Sequence, residues 1–464
     1  MRSDALLALA RDVLAAAGEA EAELYVRATE RGCARFAGGE LGQHMQLSEP
    51  LGVVRVAHGK RVAETITTRL DRDALVEAVH ATARAARLVP EIEGFSGFTR
   101  AGEPDGPSPA RFASATAEAT PEERVERLAP ALAAVRAAKL VSAGMLETRV
   151  QAQALATTGG CGRAHDATVA SFKVWALETP GAGGAAGYGG HLHRDVGALR
   201  IDEETARAIR ICTDSREQGH LDAGTYDVVM EPEAVSELFE WLSAISFGAT
   251  EVEQGTSPVA GRLGERITGE GVDLYEDPVS DDAALGFGCP FDREGTWRRR
   301  VPLFERGVAR AVLYDRTYAA RAGAVSTGSA LLPTLGSPGG IGPTALTMGP
   351  GDAASVDELV AGIDRGLYVC RLHYVNGLLE PRRAVMTGLT RDGCFLVERG
   401  RITRAVGNLR FTDSFLEGLA RCDGATRERK AIPTWWSEDG AIVTPAVRIR
   451  GFRFNGASQK RPDM

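Results

Sequence analysis

Met145–Thr157, MLETRVQAQALAT, and Ala167–Thr179, ATVASFKVWALET, alternate apolar and polar side chains well enough to be strands. A period of two belongs to strands with one face buried, so the two stretches predict two strands of an antiparallel sheet. Working outward, Leu24 and Val26, Cys33 to Phe36, LGVVRVA at 51–57 and RVAETIT at 61–67 are short and rich in β-branched residues, which predicts a meander. Helical spacing interrupts these runs. It places Leu6, Leu7, Ala10, Val13 and Leu14 between Ser3 as N-cap and Gly18 as stop, and Leu75, Val79, Ala83 and Ala86 within 71–88. Val125, Leu128, Leu132 and Val135 follow the start signal of Thr120, Pro121 and Glu123, and a further helix covers 202–211. Helices packed on one side of an antiparallel sheet give an α+β fold.

From Thr225 the pattern changes to strand after strand, predicted at 226–230, 301–304, 307–314, 366–375, 394–398, 402–410 and 446–454. One helix interrupts them, 231–246, with Val235, Leu238, Phe239, Leu242 and Ile245 inward. Glycine-rich connections are read at 180–190 and 333–352. The expected organisation is an N-terminal α/β domain with an antiparallel sheet over 1–220 and a C-terminal β-rich, barrel-like domain over 221–464.

Composition narrows the function. Of 464 residues, 54 are Lys or Arg and 62 Asp or Glu, and the net charge of −8 is opposite to that of a phosphate-binding surface, so nucleic acid is not an expected partner. Hydrophobic residues at 44% and charged residues at 25% are those of a folded chain. No run approaches the roughly 20 apolar residues of a membrane span, so a cytoplasmic protein without membrane contact is expected. The seven cysteines are odd in number and never spaced C-x-x-C, which predicts reduced, mostly buried thiols.

Motifs for chemistry are scarce. The eight histidines include no pair four or five apart, and the one close pair, His191 and His193, reads as a solvated pair beside a glycine loop rather than a chelate. Ser326-Thr327-Gly328-Ser329 is a polar cluster that lines a cleft or makes a turn; as a cleft it is the candidate for holding a peptide. Gly181 to Ala186 fits a dinucleotide fingerprint only by composition, because no helix follows it to receive a pyrophosphate.

Several segments together carry a resemblance: YDVVMEPEAVSELFEWLSAISFGATEVEQGTSPVAGRLGERIT at 226–268, DLYEDP at 273–278 and LFERGVARAVLYDRTYAARAGAVSTGSA at 303–330. GLYVCRLHY at 366–374 and LTRDGCFLVERGRITRAVGNLRF at 389–411 extend it, and ATTGGCGRAHDATVASFKVWA at 156–176 with GAAGYGGH at 184–191 adds the earlier half. In this order and spacing they resemble the TldD/PmbA family, the modulator of DNA gyrase family. The resemblance implies a heterodimeric metalloprotease in which TldD carries a His-Glu-x-x-x-His helix and TldE, or PmbA, lacks the metal ligands. Laid on the helix after 226–230, the motif places Phe239 and Ala244 at the histidine positions and matches only Glu240, a weak catalytic candidate otherwise read as a surface-helix residue. Gly418 to Pro445 lacks the cysteine-bearing pattern of TldD, so Cys422 is not a ligand.

The resemblance therefore implies a TldE-like subunit with no cofactor of its own. It would partner a TldD-like chain holding the zinc, and present unfolded or modified peptide in extended form. In isolation it could pair with itself. The rival readings are a binding or regulatory protein of the same family and an independent hydrolase using unrecognised residues.

Overall fold

The structure, a computed structural model, describes residues 2–19, 21–178, 184–333, 339–434 and 440–457. Residues 180–183 and 334–338 of the two glycine-rich connections lie outside the described residues.

The first half contains helix α1 (Ser3–Ala17), strands β1 (Ala22–Ala37), β2 (Glu40–His58) and β3 (Arg61–Thr67), and helix α2 (Arg72–Ala86). A single-turn helix α3 (Ser114–Ala117), helix α4 (Pro121–Ala137), strands β4 (Val141–Thr157), β5 (Gly162–Leu177) and β6 (Ala186–His193), and helix α5 (Ile201–Asp214) follow. The strands form one antiparallel sheet in the order β3-β2-β1-β4-β5-β6. Gly38 and Gly39, at φ 65° and 83°, make the tight β1–β2 turn that side chains with a Cβ resist. Even-numbered residues of β1, β4 and β5 face the helices. Leu24, Val26 and Ala154 meet Leu6, Val13, Leu75 and Val79 of α1 and α2; Phe36, Leu146, Phe172 and Val174 meet Leu128 and Val135 of α4 and Ala208 of α5. The predicted one-sided α+β arrangement is what forms.

Local details differ from the sequence reading. Ser3 does not cap α1: its N–H and Oγ donate to the Asp166 carboxylate of β5 at 3.0 and 2.9 Å, and Arg2 takes the cap position. A charged acceptor on the sheet outcompetes a cap bond. The Thr120 capping box is present in both directions, with Thr120 N–H donating to Glu123 at 2.8 Å and Glu123 N–H to Thr120 Oγ1 at 3.2 Å. Behind it Arg124, not Val125, turns inward and lies over Gly32, whose missing Cβ leaves room for the guanidinium.

In the second half β7 (Gly224–Met230) leads into helix α6 (Pro232–Ser246). Then come β8 (Leu274–Glu276), β9 (Val301–Glu305), β10 (Val308–Ala309), a ribbon of β11 (Ala330–Leu331) with β12 (Gly340–Ile341), and β13 (Leu346–Met348). The remaining strands are β14 (Arg365–Glu380), β15 (Val385–Glu398), β16 (Arg401–Ala405), β17 (Leu409–Ser414), β18 (Cys422–Pro433) and β19 (Ala441–Ala457). β7 pairs with β14, β14 with β15, β15 with β17, β17 with β19, and β19 with β7 again. The sheet thus closes into a five-stranded ring, the barrel-like element expected. Against it α6 buries Val235, Leu238, Phe239 and Leu242, with the Phe239 ring 5.4 Å from Phe415.

The predicted strand 307–314 reduces to Val308–Ala309, because Leu313 leaves to exchange backbone hydrogen bonds with Phe247 and Ala249. The predicted strand 402–410 is likewise split into β16 and β17. Six of the seven cysteines are buried and Cys422 is half-buried, all as free thiols. No helix among the described residues is long and apolar enough to cross a membrane.

Candidate functional site

Alternation gives the first sheet a second face, turned away from its helices, and the second half of the chain covers it. At one end the contact is apolar: Tyr25, Val53, Leu155 and Cys161 pack on Cys289 and Phe291. Beside this plug Arg55 bridges Glu23 at 3.1 Å and Glu294 of the second half at 3.0 Å, all three nearly sealed from solvent. Burial pushes the Glu23 carboxyl up to about 7, outweighing the attraction of Arg55, which Glu23 shares with Glu294.

Beyond the plug the same face is polar and lines a cavity of about 260 Å³. Arg31 of β1, Glu147 and Arg149 of β4 and Lys173 of β5 form its floor, while Phe287 and Pro433 belong to the second half. Lys173, Pro433 and Thr434 also line a neighbouring cavity of about 230 Å³, so the two make one cleft between the halves. The wall of the second cavity is α6. Glu233, Ser236, Glu237 and Glu240 recur at helical spacing and face it, while the intervening apolar residues face the core. Across from them Arg371 of β14 pairs with Asp392 at 2.9 Å and lies over the Tyr188 ring, 4.6 Å from its centroid; Trp175 Nε1 donates to the same carboxylate at 3.1 Å.

The N-terminal end of α6 is latched to the first half by charge. Lys430 of β18 bonds Glu204 of α5 at 2.5 Å and Glu233 of α6 at 2.8 Å, and Arg207 of α5 stands 3.4 Å from Glu233. Burial opposes ionisation of Glu233, but Arg207 and Lys430 hold its carboxyl below the ordinary range; Glu204 is raised by burial.

Residues 223–456, from the start of β7 to the end of β19, match the family described as PmbA/TldA metallopeptidase C-terminal domain. The chain belongs to the PmbA/TldD metallopeptidase family. It is 27% identical over 240 residues, 50% of this chain and 51% of the relative, to a metalloprotease of Methanothermobacter thermautotrophicus. A Methanocaldococcus jannaschii metalloprotease is 23% identical over 47% of each chain, so the chain spans about half the length of these curated relatives. The fold is that of TldE from Thermococcus kodakarensis, with TM-score 0.85, 20% identity and coverage of 98% of this chain and 99% of that one. A candidate modulator of a DNA gyrase from Thermotoga maritima gives a TM-score of 0.79 at 19% identity, covering 97% and 99%.

In this PmbA/TldD chain the residues predicted from sequence are dispersed by the fold. Phe239 is fully buried in the core and Ala244 is exposed, so the two histidine positions of the motif face different surroundings and neither side chain can ligate. Glu240 is not on an open surface as read from sequence; it is 6% exposed and lines the cleft, because the first half covers this face of α6. Ser326 to Ser329 form a turn: Thr327 Oγ1 donates to the Tyr314 carbonyl at 3.0 Å, Gly328 N–H donates to Ser326 Oγ at 3.2 Å, and the hydroxyl side chains are nearly buried. None of them lines the cleft. His191 and His193 stack with ring centroids 6.3 Å apart, but each Nδ1 accepts a backbone N–H, from Arg200 and Asp195. Among the described residues no group of three His, Cys, Asp or Glu side chains is placed to hold a metal.

Sequence reading missed Lys173, Arg371 and the acidic stripe of α6. The signal was present at Lys173: the odd positions of β5, Val169, Ser171, Lys173 and Trp175, mix apolar and charged residues unlike a solvated face.

Proposed function

We propose that this chain is the metal-free, TldE-like subunit of a two-subunit peptidase and holds unfolded or modified peptide in extended form for a zinc-bearing, TldD-like partner. The observation that carries this reading is α6, where the helix that would bear the metal motif keeps its polar stripe on a cleft while Phe239 is committed to the core. Zinc does not fit these residues, so the chain supplies surface rather than metal chemistry. The chain also offers extended peptide a second surface, outside the cleft. Among the described residues, 40–51 of β2 pair with β1 on one side only, since β3 covers just 52–58, leaving a strand edge without a partner strand.

The test is co-expression with a family member containing His-Glu-x-x-x-His. Light scattering should give a mixed complex, and cleavage of an unstructured peptide should appear only on mixing and vanish with chelator. Chelator-sensitive cleavage by the lone chain would overturn the reading.

A further inference from the structure

Among the described residues, the larger cavity of the cleft is lined by an unbalanced charge. Five cations line it, Arg31, Arg111, Arg149, Lys173 and Arg194, against one acid among the described residues, Glu147. That acid is taken by Arg31 at 3.3 Å. Three of the cations have no carboxylate partner among the described residues. Arg194 makes four hydrogen bonds, all to the carbonyls of Ala110, Asp281, Asp282 and Ala283, which fix its position without neutralising it. Arg111 is 2% exposed and spends one nitrogen on the Pro278 carbonyl at 2.9 Å, while its Nε and Nη1 find no acceptor. The Lys173 ammonium makes no hydrogen bond or ion pair with a described residue, and burial pushes it below its ordinary value against the more distant pull of Glu147, Glu237 and Glu240. Folded proteins rarely bury cations unpaired; where they do so around a cavity, an anion completes the site.

We propose that this cavity is a carboxylate site, binding an acidic side chain or the terminal carboxylate of an extended peptide among Lys173, Arg111 and Arg194. The choice of carboxylate follows from what lies between the charges. Met145, Val169, Leu192 and Phe287 offer apolar walls for the methylenes of an acidic residue, in a space of about 260 Å³ that admits side chains but not a nucleic-acid duplex. The inference rests on the cleft being a peptide-holding surface and adds which peptides it prefers.

The experiment measures fluorescence anisotropy of the full chain with labelled, unstructured ten-residue peptides. One is rich in Asp and Glu with a free C-terminus; a second has Asn and Gln in their place; a third is the acidic peptide amidated at its C-terminus. Lys173→Met, which leaves no hydrogen-bond partner stranded, and Arg194→Gln are compared with Lys60→Met on an exposed turn. Acidic peptide should bind on the order of tenfold tighter than the neutral one, and Lys173→Met should abolish the difference while Lys60→Met preserves it. Loss of binding on amidation assigns the terminal carboxylate; loss only with Asn and Gln assigns the side chain. Equal binding of acidic and neutral peptides overturns the carboxylate site and leaves the peptide-holding reading standing. If no peptide binds but glutarate raises the melting temperature of the wild type and not of Lys173→Met, the carboxylate site stands and the peptide-holding reading falls. A single-stranded oligonucleotide that outcompetes the acidic peptide overturns the choice of carboxylate, and absence of any binding overturns both.

Discussion

Glu23 is a carboxylate that the fold makes harder to ionise, and its consequence can be worked through in sign. Its folded value of about 7 lies above the ordinary value of 4.5, so its contribution to stability is complete below about 4.5 and is lost as pH rises through 7. Glu23→Gln cannot ionise, so its stability relative to the wild type should rise by roughly 1 to 3 kcal/mol between pH 5 and pH 8 in denaturant titrations. A constant difference would show that Arg55 compensates fully. His165 behaves oppositely in pH. Burial and the nearby Arg111 lower it to about 4, so the wild type should lose stability as pH falls from about 6.5 towards 4, and His165→Gln should flatten that slope. Glu240 tests chemistry rather than stability: in the mixed complex Glu240→Gln should leave kcat within about threefold while shifting KM, because it touches the cleft and no metal-bound water. A loss in kcat above about 100-fold with normal folding would make it catalytic.

Helix α6 is where sequence and structure agree most closely, and where the disagreement is most instructive. Its apolar positions were legible because they recur every three to four residues, and Leu238, Leu242 and Ile245 are buried as that spacing requires. Leu242→Ala should cost about 2 to 5 kcal/mol in chemical denaturation. Its polar stripe was legible as a pattern but not as a surface, since period alone cannot distinguish solvent from another half of the same protein. Glu240 was misread for that reason. The strand β2 shows the converse. Residues 40–50, ELGQHMQLSEP, have no β-branched residue, and pairing with β1 rather than propensity makes them a strand. Short loops such as Ser326 to Ser329 stay ambiguous in sequence because hydroxyls serve a turn and a cleft equally well.

Across the whole molecule the two halves are joined by charges as well as by the apolar plug, and Lys430 is one such charge, held between a glutamate of each half. Lys430→Met should leave Glu204 without its cation and Glu233 with Arg207 alone, and destabilise the chain by about 3 to 5 kcal/mol, with loss of hydrogen-exchange protection first in α5 and the start of α6. Protection lost uniformly would show that the halves do not separate locally. None of this was legible in the sequence, because Glu204, Glu233 and Lys430 stand far apart along the chain and look like ordinary surface residues. The ring of the second half has the same character at larger scale. β7 and β19 are its neighbours in space, yet about 210 residues lie between Met230 and Ala441. On the ribosome the first sheet is therefore complete while the second half still lacks its closing strand, and β7 and β17 wait with unpaired edges until β19 emerges. Synthesis rate and chaperone supply, more than any single contact, then govern how much of the newly made protein reaches its native state.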